Sequence, residues 1–115
     1  MSKDCLFCKI ANGDISAAIV YQDERIVAFK DINPQAPTHI LVIPRSHITT
    51  LNELSAGHDN LAGEMVRRAS LIAQDLGHAE NGYRTVINCN ADGGQTVFHI
   101  HLHLLAGRPM TWPPG

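Results

Sequence analysis

The sequence is poor in charge. Asp, Glu, Lys and Arg make up 17% of its 115 residues, against about a quarter in an average soluble domain. Nine Lys and Arg face eleven Asp and Glu, for a formal net charge of −2, so there is no basic excess to displace counterions from a nucleic acid. No run approaches the ~20 apolar residues of a membrane-spanning helix. The first ten residues carry Lys3, Asp4 and Lys9 where a signal peptide has its apolar stretch, and the expected location is the cytoplasm. Cysteine is scarce and odd in number: Cys5, Cys8 and Cys89. Without an export signal no disulfide framework is expected, which leaves Cys5-x-x-Cys8 as thiols or metal ligands. A redox role would need a βαβ context that the pattern lacks.

A 44% apolar share is ordinary for a packed domain and excludes general disorder. A chain of this length supports one core and not two, so residues 1–115 read as a single domain. The low charge suggests further burial beyond the monomer's own core.

Asp4 is placed to cap a short helix over Cys5–Asn12, with Gly13 ending it. Ile19–Gln22, Ile26–Asp31 and His39–Pro44 are short, rich in β-branched residues and bounded by polar or proline turns, the pattern of three strands. The first two form a hairpin across Asp23, Glu24 and Arg25. Leu61, Met65, Ala69, Ile72 and Leu76 recur at helical spacing and predict one amphipathic helix over Ala56–Leu76, closed by Gly77. Arg67, Arg68 and Asp75 fall on its solvated face. Tyr83–Cys89 and Thr96–Leu105 complete the strands, joined by a glycine-rich turn over Asn90–Gln95. This order makes an α+β domain with a five-stranded antiparallel sheet, one long helix and one short one.

Seven histidines are present, and three alternate along the last strand. A period of two puts His99, His101 and His103 on one face and Phe98, Ile100, Leu102 and Leu104 on the other. Each imidazole brings polar atoms that need partners when buried, so a purely structural face of three is poorly explained. Either the face binds a metal, or one ring acts as a nucleophile oriented by its neighbours. Gly93 and Gly94 just ahead permit close backbone approach to an anion, which favours a phosphate seat beside a nucleophile. His58 and His78, at the ends of the long helix, are expected in solvent, and Cys89 as a buried small residue on an inner strand.

The run Gly94-Gln95-Thr96-Val97, followed by His99-x-His101-x-His103 and Leu104-Leu105, resembles the signature of the histidine triad family. Asp31 to His39, then Leu41 to Pro44, and Arg108 with the Trp112–Gly115 tail are similar to its Hint branch. The resemblance implies a homodimer whose two sheets join into one of ten strands, and hydrolysis of the P–N bond of purine nucleoside phosphoramidates, including adenylated amines and lysine. His101 would then be the nucleophile, His39 its support, and His103 a phosphate contact. Gln95 and Thr96 would bind phosphate and assist the leaving group, although the family often has Ser at the position of Thr96. Asp31 would hold the ribose hydroxyls. Phe7, Ile10, Ile15 and Ile32 would line the base pocket, Asn88 would contact the phosphate or ribose edge, and Gly94 and Val97 would flank the phosphate. The 108–115 tail would reach toward the partner's site. Some family members with the cysteine pair bind a structural zinc, and the resemblance implies one here, held by Cys5, Cys8, His47 and His99. No organic cofactor is implied. The competing readings are a non-catalytic nucleotide sensor or interaction protein, and a zinc-binding structural protein.

Overall fold

The computed structural model describes residues 4–115; the signal-peptide argument rests partly on Lys3, which lies outside the described residues. Five strands, β1 (Ile19–Gln22), β2 (Ile26–Lys30), β3 (Thr38–Pro44), β4 (Tyr83–Val86) and β5 (Leu102–Ala106), form one sheet in the order β1-β2-β3-β5-β4. Every neighbouring pair is antiparallel. The hairpin between β1 and β2 is set by Asp23, whose Oδ1 accepts from the amides of Arg25 and Ile26.

The alternation along β2 and β3 divides the core into two layers. Ile26, Ala28, Ile40 and Val42 face the long helix α2 (Asp59–Asp75) and meet its Leu61, Met65, Ala69 and Ile72. Val27, Phe29, Leu41 and Ile43 face the opposite way, against Phe7, Cys8, Ile10 and Ala11 of α1 (Leu6–Ala11). Burying a side chain such as Phe7 or Ile10 contributes about 1.5–3 kcal/mol. That packing holds α1, because six residues are too few for a helix to persist alone. No helix among the described residues is long and apolar enough to cross a membrane.

The structure departs from the sequence expectations at several element ends. The Sγ of Cys5, not Asp4, caps α1 by accepting from the Cys8 amide. The long helix begins only at Asp59, after two 3-10 turns at Leu51–Glu53 and Ala56–His58. His58 is half-buried there, its Nδ1 accepting from the Ser55 amide. His78 is half-buried too and bonds the Thr38 hydroxyl at 2.9 Å. Leu76 is 49% exposed, since it caps the helix instead of packing under it. Arg68 is half-buried, its guanidinium 3.7 Å from the centre of the Tyr21 ring. The fourth strand stops at Val86, and Cys89 is half-buried ahead of a one-turn helix, α3 (Asn90–Gly93), where a plain turn was expected. The last strand starts at Leu102 instead of Thr96. Residues 97–101 leave the ladder because the Gln95 side chain holds the Thr49 and Val97 carbonyls, and the Ile100 amide bonds the Ile48 carbonyl.

Candidate active site

The β3–β5 register pairs Leu41 with His103 and His39 with Leu105, which sets His39 and His103 diagonally on the face that carries α1. The alternation expected of residues 99–103 survives outside the regular strand. Ile100, Leu102 and Leu104 enter the core beneath α2, while His101 and His103 turn toward a cavity of about 450 Å³. Phe98 does not follow the core side and is 48% exposed. His99 is fully buried and His101 is 6% exposed, so this is not a solvated histidine face.

The hydrogen bonds fix the ring protons, because a carbonyl only accepts and an amide N–H only donates. The Nδ1–H of His101 donates to the His99 carbonyl at 2.8 Å, so in the neutral ring Nε2 keeps the lone pair. The Gln35 amide donates to His39 Nδ1 at 3.0 Å, which puts the proton of His39 on Nε2. That proton goes to His103 Nδ1 at 2.9 Å, and Nε2–H of His103 is left as a donor. The carboxylate of Asp31 lies 3.4 Å from His39 Nε2, and its Oδ1 accepts from the Asn33 amide. The site thus combines an uncharged nucleophilic nitrogen, a fixed N–H donor beside it, the two rings 4.9 Å apart, and a carboxylate at the edge. Such a set suits attack on an electrophilic centre that carries anionic oxygens.

Burial pushes the His101 and His39 rings below their ordinary pKa. His103 is pushed down to about 4, first by burial and then by its neighbours His101 and His39. The unfolded chain takes up these protons near pH 6.5, before the folded chain does. Stability is therefore complete above about pH 6.5 and falls as pH drops toward 4. Urea midpoints at pH 7 and pH 5 should show the loss, and it should be smaller in His103→Gln; an equal loss in both would assign it to other groups.

Ten of the residues expected at the site converge here: Phe7, Ile10, Ile15, Asp31, Ile32, His39, Thr96, Val97, His101 and His103 all line the cavity. Phe7 meets His101 edge-on, the ring centres 5.0 Å apart, and Ile32 stands on the rim, 98% exposed. Asn88, Gly94 and Gln95 are not among its lining residues. Gln95 is buried, its carboxamide engaged by the Asn90 amide and by the Thr49 and Val97 carbonyls. The anion seat expected at the glycine pair does not form as imagined: the Gly94 amide bonds the Ala91 carbonyl and the Gln95 amide that of Asn90. Gly94 instead ends α3 with φ of +82°, where its missing Cβ permits the turn. Sequence reasoning missed Gln35, whose amide sets the His39 tautomer, and no side-chain signal marks such a backbone contact. It also missed Phe29 and Leu41 on the cavity wall, which strand alternation around His39 could have found.

A second cluster lies behind α1. Ligand atoms of Cys5, Cys8, His47 and His99 fall within 4.8 Å of one another. His99 Nε2–H donates to the Pro44 carbonyl at 2.7 Å, so its Nδ1 presents a lone pair to the cluster. That nitrogen is 3.3 Å from Cys5 Sγ, 3.5 Å from Cys8 Sγ and 3.3 Å from His47 Nδ1, and His47 Nδ1 is 3.3 Å from Cys8 Sγ. Tetrahedral zinc, with bonds of about 2.0–2.1 Å to nitrogen and 2.3 Å to sulfur, separates N from N by about 3.3 Å and N from S by about 3.6 Å. The donor set and its spacing fit that ion. The ligand atoms of Asp31, His39 and His103 also lie within 4.8 Å, but the hydrogen-bond chain described above accounts for their proximity.

Known proteins are similar to this chain over nearly its full length. The purine nucleoside phosphoramidase of Escherichia coli K12 is 51% identical over 110 residues, covering 96% of this chain and 92% of that one. An uncharacterized HIT-like protein of Synechococcus elongatus is 51% identical over the full length of both. The crystal structure of a HIT family hydrolase from Legionella pneumophila superposes with a TM-score of 0.96 at 55% identity, covering 97% of this chain and all of that one. A histidine triad protein from Clostridium difficile gives 0.93 at 41% identity, over 96% of each chain. The HIT domain model itself matches residues 12–110, a stretch that holds His39, His101 and His103, and the chain belongs to the HIT domain family.

Proposed function

We propose that this protein is a nucleoside phosphoramidase, a hydrolase that cleaves the P–N bond of purine nucleoside phosphoramidates through a nucleotidyl-histidine at His101. The observation that carries the reading is the hydrogen bond from His101 Nδ1–H to the His99 carbonyl. It locks the tautomer whose Nε2 lone pair attacks. The identity to the E. coli purine nucleoside phosphoramidase supports the substrate class.

In the first step His101 Nε2 bonds to the α-phosphorus as the P–N bond breaks. The amine leaves with a proton that the Thr96 hydroxyl gives up as it takes another from solvent. In the second step water attacks phosphorus, the Nε2–P bond breaks, and the proton of that water returns to solvent. Splitting the displacement returns the imidazole free. The N–H of His103, fixed through His39, donates to the phosphoryl oxygens as charge develops there. Phe7, Ile10, Ile15 and Ile32 offer apolar contact to the base, and Asp31 accepts from the ribose hydroxyls. Gln95 acts indirectly, through the turn that carries Thr96 and Val97, and Gly94 by ending α3 ahead of it, while Asn88 contacts the phosphate or ribose edge. A panel of nucleoside phosphoramidates varied in base and amine, with released nucleotide as the readout, tests the proposal. Turnover of purine substrates supports it, and binding without turnover would leave the nucleotide sensor.

Zinc held by Cys5, Cys8, His47 and His99 belongs to the same reading. With four protein ligands the ion would have no open position for substrate and would be structural, tying the start of α1 to the segments that follow β3 and precede β5. The protein would work in a reducing cytoplasm, where Cys5 and Cys8 stay thiols able to hold the metal.

We further propose a homodimer. The outer edge of β4 pairs with no strand among the described residues, and an uncovered edge invites a second copy. Trp112 is 83% exposed and would reach the partner's leaving-group pocket. Deleting Met110 to Gly115 should change amine preference several-fold while adenylate affinity stays within twofold; equal changes in both would count against a role in trans.

A further inference from the structure

We infer that metal binding at the Cys5, Cys8, His47 and His99 cluster and nucleotide binding in the 450 Å³ cavity are thermodynamically coupled, with α1 and the His99 backbone as the shared parts. The inference rests on the two readings above and adds to them a mutual dependence that neither contains.

Two links join the sites. The first is His99, whose ring faces the cluster through Nδ1 while its carbonyl receives the Nδ1–H of His101 at 2.8 Å. Fixing the ring fixes the backbone that orients the nucleophile. The second is α1. Phe7 stands between the two cysteines in sequence, its ring centre 6.0 Å from that of His99, 5.0 Å from His101 and 5.4 Å from Phe29. The helix and its cap therefore offer the Cys5 and Cys8 thiolates to the metal, while Phe7 between them and Ile10 one turn on face the base.

A six-residue helix has little stability of its own, so its docked state depends on what fastens it. Both occupants favour that state over a loosened one. A smaller recess of about 410 Å³ reaches Cys5 and His47 and shares Leu6, Thr96 and Val97 with the larger cavity. One thin wall thus serves both sites. Linkage requires the effect to be reciprocal: the factor by which metal tightens nucleotide equals the factor by which nucleotide tightens metal, and couplings of this kind are typically about 5- to 150-fold.

The test uses wild-type protein loaded with zinc and adenosine 5′-monophosphate as probe. Competition with a chromogenic chelator gives the zinc dissociation constant with and without saturating adenylate. Calorimetry gives the adenylate constant for loaded and stripped protein, with circular dichroism confirming that the stripped chain is folded. The expected result is at least a 5-fold tightening in each direction, by matching factors. A second variant, His47→Gln, removes a half-buried ligand that does not line the larger cavity; its adenylate affinity should be weakened at low zinc and recover as zinc is added. Stoichiometric binding of both ligands with affinities independent within twofold would overturn the coupling while leaving both underlying readings intact. Absence of adenylate binding, or of zinc, would overturn it together with that one reading alone.

Discussion

His101→Asn is expected to lower turnover of an adenosine phosphoramidate by about three orders of magnitude or more, the scale seen when a covalent nucleophile is removed. Asparagine is the informative substitution. Its amide nitrogen sits close to the place of imidazole Nδ1 and can keep the bond to the His99 carbonyl, but it has no nucleophilic nitrogen where Nε2 stands. His101→Ala would abolish turnover as well, yet it empties space against Phe7 in a site where His101 is only 6% exposed, and buried cavities themselves destabilise. The asparagine variant should therefore melt within a few degrees of wild type. Acid-labile adenylated protein should be trapped by quenching wild type and not the variant. Undiminished turnover by folded His101→Asn would remove this residue from the chemistry.

The second large effect concerns metal. Protein purified without a histidine tag should carry about one zinc per chain, and Cys5→Ser combined with Cys8→Ser should carry none. A ligand at a hundred times its dissociation constant stabilises the folded state by about 2.7 kcal/mol. At about 4 °C per kcal/mol for a domain of this size, the double variant should melt about 10 °C lower. Cys5 caps α1 and Cys8 lies on it, both ahead of the stretch matched by the family model. A metal-free wild type with the same melting temperature as the double variant would refute the zinc reading.

The part of this molecule legible in its sequence is the part that depends on side-chain period and residue type. The hairpin around Asp23, the apolar row of the long helix and the split of Ile100, Leu102 and Leu104 from the histidines all follow from spacing, and the structure keeps them. What the sequence hid depends on backbone groups. A run of alternating residues from Thr96 to Leu105 reads as one strand, because nothing in it announces that Gln95 will take the Thr49 and Val97 carbonyls and turn the chain out of the ladder. Gly94 looked like an open anion seat for the same reason: its amide's partner, the Ala91 carbonyl, is invisible to residue type. The tautomers of His39, His99 and His101 are likewise set by the Gln35 amide and the Pro44 and His99 carbonyls. Residue identity found which imidazoles matter, and only geometry told which nitrogen of each is free.

The pairing of β3 with β5, at the middle of the sheet, has a consequence for the order of folding. Val42 meets Leu102 across it, and Cys5 meets His99 across 94 residues of chain. Contacts of such separation form slowly, because the loop entropy must be lost before they reward it. Hairpin β1–β2 and helix α2 are local and can assemble early, but α1, six residues long and docked on β2 and β3, gains its contacts with His99 and His101 only when the segment leading into β5 closes. His101 and His103 become fixed, and His39 gains its bond to His103, only in that last closure. Hydrogen exchange on the refolding chain should therefore protect the amides of α2 before those of α1, and the catalytic centre should emerge with the final step instead of growing by degrees.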